Sequence, residues 1–358
     1  MVNEVDYLSI ISGARHDWLA RCLKPCFGFL SLFYGTAVAV RNRLFDWGLK
    51  RARPVSVPVI SLGNLTTGGT GKTPLVAWLS QWFQEQGISV ALLSRGYRAL
   101  PGEVNDEKLL LDRLCPQVPH YQNPDRCASA EKAVEAGARL LILDDGFQHR
   151  RLARDLDIVL IDAVNPWGYG HQLPRGLLRE SKSGLRRAGF VLITRVDQSP
   201  PELLENLITE VKQFVPEHRI AHVRFAPRGL VNAAGETREL TEVTGKQVWG
   251  FCAIGNPRGF QQTLVDAGGR VCGMRVFADH HHYSAGDLQE IGSEAERSGA
   301  ELILTTAKDL VKISEQKLSG LPVWAVEIGA EIVQGRLILR KSCGKRGWWS
   351  QRNKSVNT

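Results

Sequence analysis

Cysteine is sparse in this chain and follows no pattern. The seven cysteines among 358 residues stand at positions 22, 26, 115, 127, 252, 272 and 343. None has the spacing to a second cysteine or a histidine that zinc requires, which predicts buried free thiols in a reducing compartment. A secretory signal is also missing. Met1 to Ala20 carries Glu4, Asp6 and Asp17 before any apolar run and has no clear cleavage site, so the chain is expected to stay on the cytoplasmic side. No aromatic-basic module of the kind that binds nucleic acid is visible, and a nucleic-acid-binding ATPase is left with only the positive charge in its favour. The apolar stretch Cys26 to Val40, CFGFLSLFYGTAVAV, falls about a turn short of the roughly 20 residues of a spanning helix.

Positive charge is in excess. Lys and Arg number 45 against 37 Asp and Glu, giving a net charge of +8 and a pI near 9.2. That balance favours an anionic partner without choosing among nucleotide, phosphorylated lipid, acidic membrane and nucleic acid. Lys24 and Arg41 bound the apolar stretch, and Arg43, Lys50, Arg51 and Arg53 follow it. An interfacial amphipathic helix on an anionic leaflet is the expectation, with burial in the core as the competing one. The length and a hydrophobic content of 43% predict two domains.

The segment Val57 to Gly87, VPVISLGNLTTGGTGKTPLVAWLSQWFQEQG, has the order strand, glycine loop, helix. Thr66, Thr67, Gly68, Gly69, Thr70, Gly71, Lys72 and Thr73 are the candidate nucleotide-binding residues. Backbone N–H groups freed by the glycines, together with a helix N-terminus, attract phosphate. Lys72 would reach the β- and γ-phosphates, and the Thr73 hydroxyl would ligate Mg²⁺. A strict G-x-x-x-x-G-K-[ST] motif has glycine where this chain has Thr66. Further on, the aliphatic run Leu140 to Leu143 ends in Asp144-Asp145, the acidic partner such a loop needs for Mg²⁺. Ser89 to Leu93, Ile158 to Ile161, Phe190 to Thr194, Val248 to Ala253, Val271 to Phe277, Leu302 to Leu304 and Val323 to Val326 are the other predicted strands. They argue a mostly parallel α/β sheet with helices on both faces. Ala226-Pro227-Arg228-Gly229 is predicted to be a loop and a domain boundary. Thr194 to Asp197 loosely matches a guanine-reading element, which leaves a GTPase or metallochaperone acting on a protein partner as the rival function. In Asp279-His280-His281-His282, neighbouring side chains point apart, so a hydrogen-bonding or acid/base histidine is favoured over a metal site.

Taken in order, Gly63-Asn64-Leu65-Thr66 running into Gly68 to Pro74, Ser94-Arg95-Gly96-Tyr97, Asp144 to His149, Arg151 to Asp155, Leu173-Pro174 with Leu178-Arg179-Glu180, Ala278-Asp279-His280 and Lys308-Asp309 resemble the tetraacyldisaccharide 4'-kinase family of lipid A biosynthesis. The resemblance covers about residues 20 to 335 and includes the departure at Thr66. It implies ATP- and Mg²⁺-dependent phosphorylation of the 4'-hydroxyl of a tetraacylated glucosamine disaccharide 1-phosphate at the cytoplasmic face of the inner membrane. The fold it implies is a P-loop NTPase-like domain over 57–225 and a smaller α/β domain over 226–340. These are preceded by an amphipathic membrane-docking segment over 1–56 and followed by a basic tail over 341–358. By position, Asp106 would be the base and His280 its support, acting with Lys72 and Asp145. Thr73, Glu107, Asp144 and Glu180 would surround Mg²⁺, and Arg175, Arg179 and His149 would face the substrate. The family's acidic loop usually reads Gly-Asp-Glu-Pro, whereas this chain has Asn105-Asp106-Glu107-Lys108 and a short segment before it. The tail, with Trp348-Trp349, fits either a membrane-lying or a free segment.

Overall fold

The structure, a computed structural model, describes residues 4–96 and 106–343. Tyr97 to Asn105 and the basic tail from Gly344 lie outside the described residues. Short aliphatic runs form β1 (Val59–Asn64), β2 (Val90–Ser94), β3 (His120–Gln122), β4 (Leu140–Asp144), β5 (Leu156–Asp162) and β6 (Phe190–Thr194). β1, β2, β4 and β6 are buried along their whole length, as parallel strands covered on both faces must be. The chain continues through β7 (Ile220–Val231), β8 (Thr237–Arg238), β9 (Gln247–Cys252), β10 (Arg270–Val276), β11 (Leu302–Thr306), β12 (Lys317–Leu318) and β13 (Leu321–Gln334). All thirteen belong to one sheet, with the order β10-β9-β11-β13-β7-β6-β5-β1-β4-β2-β3, β8 on β7 and β12 on β13.

Every pairing is parallel except β7 with β13 and the two short appendages. That antiparallel pair sets the architecture. β7 runs beside β6 as far as Val223, opposite Thr194, and then beside β13 as far as Val231, opposite Ala325. β13 leaves β11 at Val326, opposite Thr306, and runs back to Gln334, opposite His222. Two parallel sections are thus joined head to head, and their carboxyl edges face one another across the stretch from Val223 to Leu230. At about 3.3 Å per residue that stretch is roughly 23 Å long. Open α/β sheets bind ligands at carboxyl edges, and here two such edges share one cleft.

The expected loop at Ala226-Pro227-Arg228-Gly229 is therefore corrected: it is the middle of β7. Pro227 and Gly229 gave it a turn-like composition, but the register shifts beside them, with Ile328 opposite Pro227 and Glu327 opposite Gly229. Such a bulge is where a strand tolerates a residue with no N–H.

Two helices precede the sheet, α1 (Glu4–Ser12) and α2 (Trp18–Asp46). α2 corrects the short apolar segment expected from sequence. It is 29 residues long, about 43 Å, capped by Asp17 through Ala20 N–H and carrying Pro25 inside. By length and composition it is able to cross a membrane, yet one face is docked along the protein. Ser31 Oγ donates to Gln172 O (2.9 Å), Tyr34 Oη to Arg179 O (3.1 Å) and Asn42 Nδ2 to Glu180 Oε2 (3.1 Å). The helices α3 (Lys72–Glu85), α4 (Asp106–Leu114), α5 (Arg126–Glu135), α6 (Pro201–Lys212), α7 (Pro257–Asp266), α8 (Ala285–Arg297), α9 (Ala307–Leu310) and α10 (Arg336–Cys343) accompany the strands. Leu75, Leu79 and Phe83 of α3 pack against Ile60, Leu62 and Ile142 in the largest core cluster, which also takes in Phe225 and Ala330 from the joint.

The core around β1 leaves no room at Gly63, where a Cβ would lie 2.7 Å from both Cβ and N of Phe147. Gly63→Ala is expected to destabilise the protein by about 1–3 kcal/mol, through overpacking of a buried strand. Denaturant unfolding of the full chain measures this, and an unchanged midpoint would contradict the packing described.

Candidate active site

β1 ends at Asn64, and the chain crosses to the N-terminus of α3 through the glycine loop. Thr66, where the strict motif has glycine, forms an antiparallel bridge with Leu178, and Thr67 N–H donates to Leu177 O (2.8 Å). This first part of the loop is extended backbone, which threonine suits. The turn itself falls on Gly68 (φ +109°) and Gly71 (φ +83°), in the left-handed region that favours glycine. At Gly71 a Cβ would also lie 2.1 Å from the Phe225 ring on β7. Two loop carbonyls are pinned by the end of β6: Thr194 Oγ1 donates to Thr70 O (3.0 Å) and Arg195 Nη2 to Gly69 O (2.7 Å). Arg195 is itself left-handed (φ +56°) and held by Asp162. The guanine-reading rival loses support here, because Arg195 is committed to the loop and to Asp162.

The acids at the end of β4 meet this loop. Lys72 Nζ donates to Asn64 Oδ1 (3.2 Å) and lies 3.5 Å from Asp145 Oδ1. Asp145, left-handed at φ +48°, also accepts from Arg179 Nη1 at 2.8 and 2.7 Å. Desolvation in the cleft opposes its charge, but Lys72 and Arg179 outweigh that and hold it well below the usual carboxylate range. Asp144 goes the other way. Its burial, reinforced by the charges of Glu107 and Asp145, pushes it up to about 7 despite Lys72 and Arg126. Asp144 Oδ1 is buried without a hydrogen-bond partner. Arg126 braces the same turn, donating to the carbonyls of Asp144 (3.3 Å) and Asp145 (3.4 Å).

The second carboxyl edge brings its own charged cluster. His280, at φ +64°, places Nδ1 2.8 Å from Asp106 Oδ2 on α4. Lys308 Nζ donates to Asp279 Oδ1 (2.9 Å) and lies 3.3 Å from His280 Nε2, while Lys312 Nζ stands 3.6 Å from Asp106 Oδ2 and 3.3 Å from Asp309 Oδ1. Burial works against ionisation of Asp106, and the His280 hydrogen bond with the two lysines overrides it, leaving the carboxyl far below its ordinary range. Asp309, fully buried, anchors the cluster through Ala253 N–H (3.0 Å) and Thr306 Oγ1 (2.7 Å). The two edges touch at Gly255, where a Cβ would lie 3.6 Å from Asp279 Oδ2 and 3.9 Å from Gly69 N. The neighbouring histidines diverge. His281 bonds Asp287 (3.1 Å) and stacks on Phe277, and among the described residues no three His, Cys, Asp or Glu side chains gather as a metal site.

Four residues expected at magnesium or substrate have other surroundings in the structure. Glu180 is buried with both oxygens taken, Oε1 by Gln148 Nε2 (2.9 Å) and Oε2 by Arg187 Nη2 (2.7 Å) and Asn42 Nδ2. It ties α2 to the kinase body. Arg179 is occupied by Asp145. His149 is pushed down to about 4 by burial, with Arg126, Arg154 and Arg151 adding to the effect, and is therefore neutral. Arg175 lies away from the acid pair, its Nη1 3.4 Å from Ile11 O. Sequence reasoning missed Arg126 and Lys312, quoted Lys308 in a motif without giving it a role, and gave Arg195 only the loose guanine-reading match. The signals available were the position of Arg195 at a strand's carboxyl end and the spacing of the two lysines, four apart just after β11.

Comparison with known proteins converges on one family. A family profile described as tetraacyldisaccharide-1-P 4'-kinase matches residues 23–341. The tetraacyldisaccharide 4'-kinase of Anaeromyxobacter dehalogenans (strain 2CP-C) is 39% identical over 326 residues, covering 86% of each chain. That of Anaeromyxobacter sp. (strain Fw109-5) is 40% identical over 330 residues, covering 86% of this chain and 88% of its own. The "apo" form of LpxK from Aquifex aeolicus, crystallised in complex with ATP, superposes with a TM-score of 0.72 at 28% identity, covering 90% of this chain and 99% of that one.

Arg195 orients the glycine loop without lying at either acid. Arg195→Gln is expected to raise the KM for nucleotide at least about tenfold while changing kcat by less than about threefold, as loss of a charge-assisted hydrogen bond to a binding loop should. Steady-state kinetics over a nucleotide series separates the two, and an unaltered KM would remove Arg195 from that role.

Proposed function

The chain belongs to the tetraacyldisaccharide-1-P 4'-kinase family, and from that footing we propose that it transfers the γ-phosphate of ATP to the 4'-hydroxyl of a tetraacylated glucosamine disaccharide 1-phosphate, giving lipid IVA. The observation that carries the mechanism is the Asp106–His280 pair, 2.8 Å apart and drawn from opposite carboxyl edges, beside the loop of Lys72. A base supplied jointly by two lobes forms only where they meet, and that is where a sugar hydroxyl must face a nucleotide.

The phosphate tail lies along the glycine loop, with Lys72 at its β- and γ-oxygens and Asp145 and Asn64 holding the lysine in place. The sugar 4'-oxygen forms its bond to the γ-phosphorus as the bond to the ADP oxygen breaks. Its proton passes to Asp106, which His280 and Lys312 keep ionised and oriented. Such a base need accept the proton only late, because phosphoryl transfer depends chiefly on positioning and charge neutralisation. The residues present fit Mg²⁺: Asp144 has a buried oxygen with no protein partner, and Glu107 is close enough to raise the Asp144 pKa. Thr73, Asp144 and Glu107 would hold it, the remaining positions going to phosphate and water. When bound, Mg²⁺ would neutralise charge on the β- and γ-oxygens.

The lipid substrate suits α2. Trp18, Phe29, Phe33, Val40 and Trp47 are exposed and, at spacings of 11, 4, 7 and 7, share one stripe. Ser31, Tyr34 and Asn42 lie on the opposite, docked face. We place the enzyme on the cytoplasmic face of the inner membrane with this stripe in the leaflet and the basic groups at Arg43, Lys50, Arg51 and Arg53 over the headgroups.

Label from [γ-³²P]ATP should appear on a tetraacyl disaccharide 1-phosphate in mixed micelles. Lys72→Ala and Asp106→Ala should each lower turnover at least about a hundredfold in folded protein. Absence of transfer by the wild-type chain would overturn the assignment, and near-normal turnover of Asp106→Ala would remove the base. Separately, Phe29→Ser with Phe33→Ser should cut sedimentation with lipid vesicles several-fold, whereas unchanged sedimentation would show that the stripe does not enter the leaflet.

A further inference from the structure

The cations around α2 fall into two groups. Arg15 pairs with Asp6 (3.2 Å) and Asp17 (2.7 Å), Arg150 with Asp46 (2.7 Å), Arg179 with Asp145, and Arg187 with Glu180. Arg21, Lys24 and Arg175, like Arg41 and Arg43 further along α2, have no carboxylate partner among the described residues. These three line a single groove of about 590 Å³, together with His171 and with Pro25 and Leu32 of α2. Three cationic side chains on a shared concavity, none of them paired with a carboxylate, repel one another unless an anion sits between them. The groove is not an extension of the phosphate cradle. Arg175 turns from the acid pair toward Ile11 O, and Gly28 in the groove floor lies fourteen residues along α2 from Asn42, about 21 Å from the end bonded to Glu180.

One wall of the groove, Leu32, is 68% exposed and adjoins Phe29 and Phe33, each 62% exposed. An occupant would therefore place its anion among the cations while apolar chains lie along the stripe. Nucleotides and free sugar phosphates lack the second feature. We propose that this groove binds the phosphate headgroup of an anionic membrane phospholipid, fixing the depth and rotation of α2 on the bilayer. The proposal rests on the membrane-docking part of the function given above and adds a built site to what would otherwise be diffuse attraction. Arginine side chains suit it because a planar guanidinium offers paired donors to phosphate oxygens.

The test uses the full-length protein and sedimentation with vesicles of phosphatidylcholine alone or with a quarter phosphatidylglycerol. Arg21→Gln with Lys24→Gln should reduce binding to the anionic vesicles about tenfold or more, each surface cation contributing roughly fivefold. The control, Arg270→Gln with Arg297→Gln on the far lobe, removes the same charge and should change binding less than twofold. Inorganic phosphate should displace the wild type from anionic vesicles better than chloride at equal ionic strength. Equal losses in the two double variants, or equal displacement by the two salts, would reduce the groove to general surface charge and overturn the site. Intact vesicle binding with a raised KM for the glycolipid would assign the anion to the substrate's 1-phosphate and overturn the phospholipid assignment. Phe29→Ser with Phe33→Ser keeps the two failures apart: if that pair releases the protein while the groove variant does not, docking stands and only the headgroup site falls.

Discussion

The antiparallel ladder between β7 and β13 is the constraint on which the rest of this molecule depends. Parallel strands deliver their carboxyl ends to one side, and a single parallel sheet offers one such edge. By reversing direction once, at two long strands shared by both sections, the chain sets two edges face to face. The glycine loop and the acid pair come from one edge, and the histidine–lysine cluster from the other. Neither section alone contains a complete set of groups for phosphoryl transfer. Phe225, on the shared strand, also packs against Gly71, so the ladder that spaces the lobes shapes the loop as well.

Within the cleft, neighbouring carboxylates are driven in opposite directions. Asp145 keeps its charge beside Lys72 and Arg179, while Asp144, one residue earlier and buried, is pushed toward protonation by desolvation and by the charges of Glu107 and Asp145. Asp106 is held ionised by three basic groups contributed by the other lobe. Pairs of titratable groups separated by environment in this way mark a division of labour. One acid fixes the lysine, one lies buried with an oxygen unpartnered, and one is gripped by the opposite lobe.

Much of this was legible in the chain. Strand, glycine loop and helix around Lys72, and aliphatic strands ending in Asp144-Asp145, follow from local chemistry, because the backbone geometry that phosphate binding needs restricts which residues appear. The long strands were not legible. Pro227 and Gly229 carry a turn composition, and only the partner strand shows that a bulge absorbs them. The length of α2 was hidden by Lys24 and Pro25, which interrupt the apolar run but not the helix. Arg195, Lys308 and Lys312 gave little sign of their roles, since an arginine that pins a carbonyl and a lysine that holds a distant carboxylate look like surface charge until tertiary contacts are known. Glu180 misled for the converse reason. Its place near magnesium came from resemblance alone, and its burial and its bonds to Asn42, Gln148 and Arg187 appear only in the folded chain.

That tether gives α2 a standing that a detachable anchor would not have. Asn42 reaches Glu180, Glu180 reaches Gln148, and Gln148 donates to the carbonyl of Asn64 (2.9 Å), whose side chain holds Lys72. Exchanging the first fifty-six residues for a segment with no donor at position 42 would leave a buried carboxylate short of that bond. Hybrids between relatives should therefore work best when positions 42, 148, 180 and 187 travel together as one block.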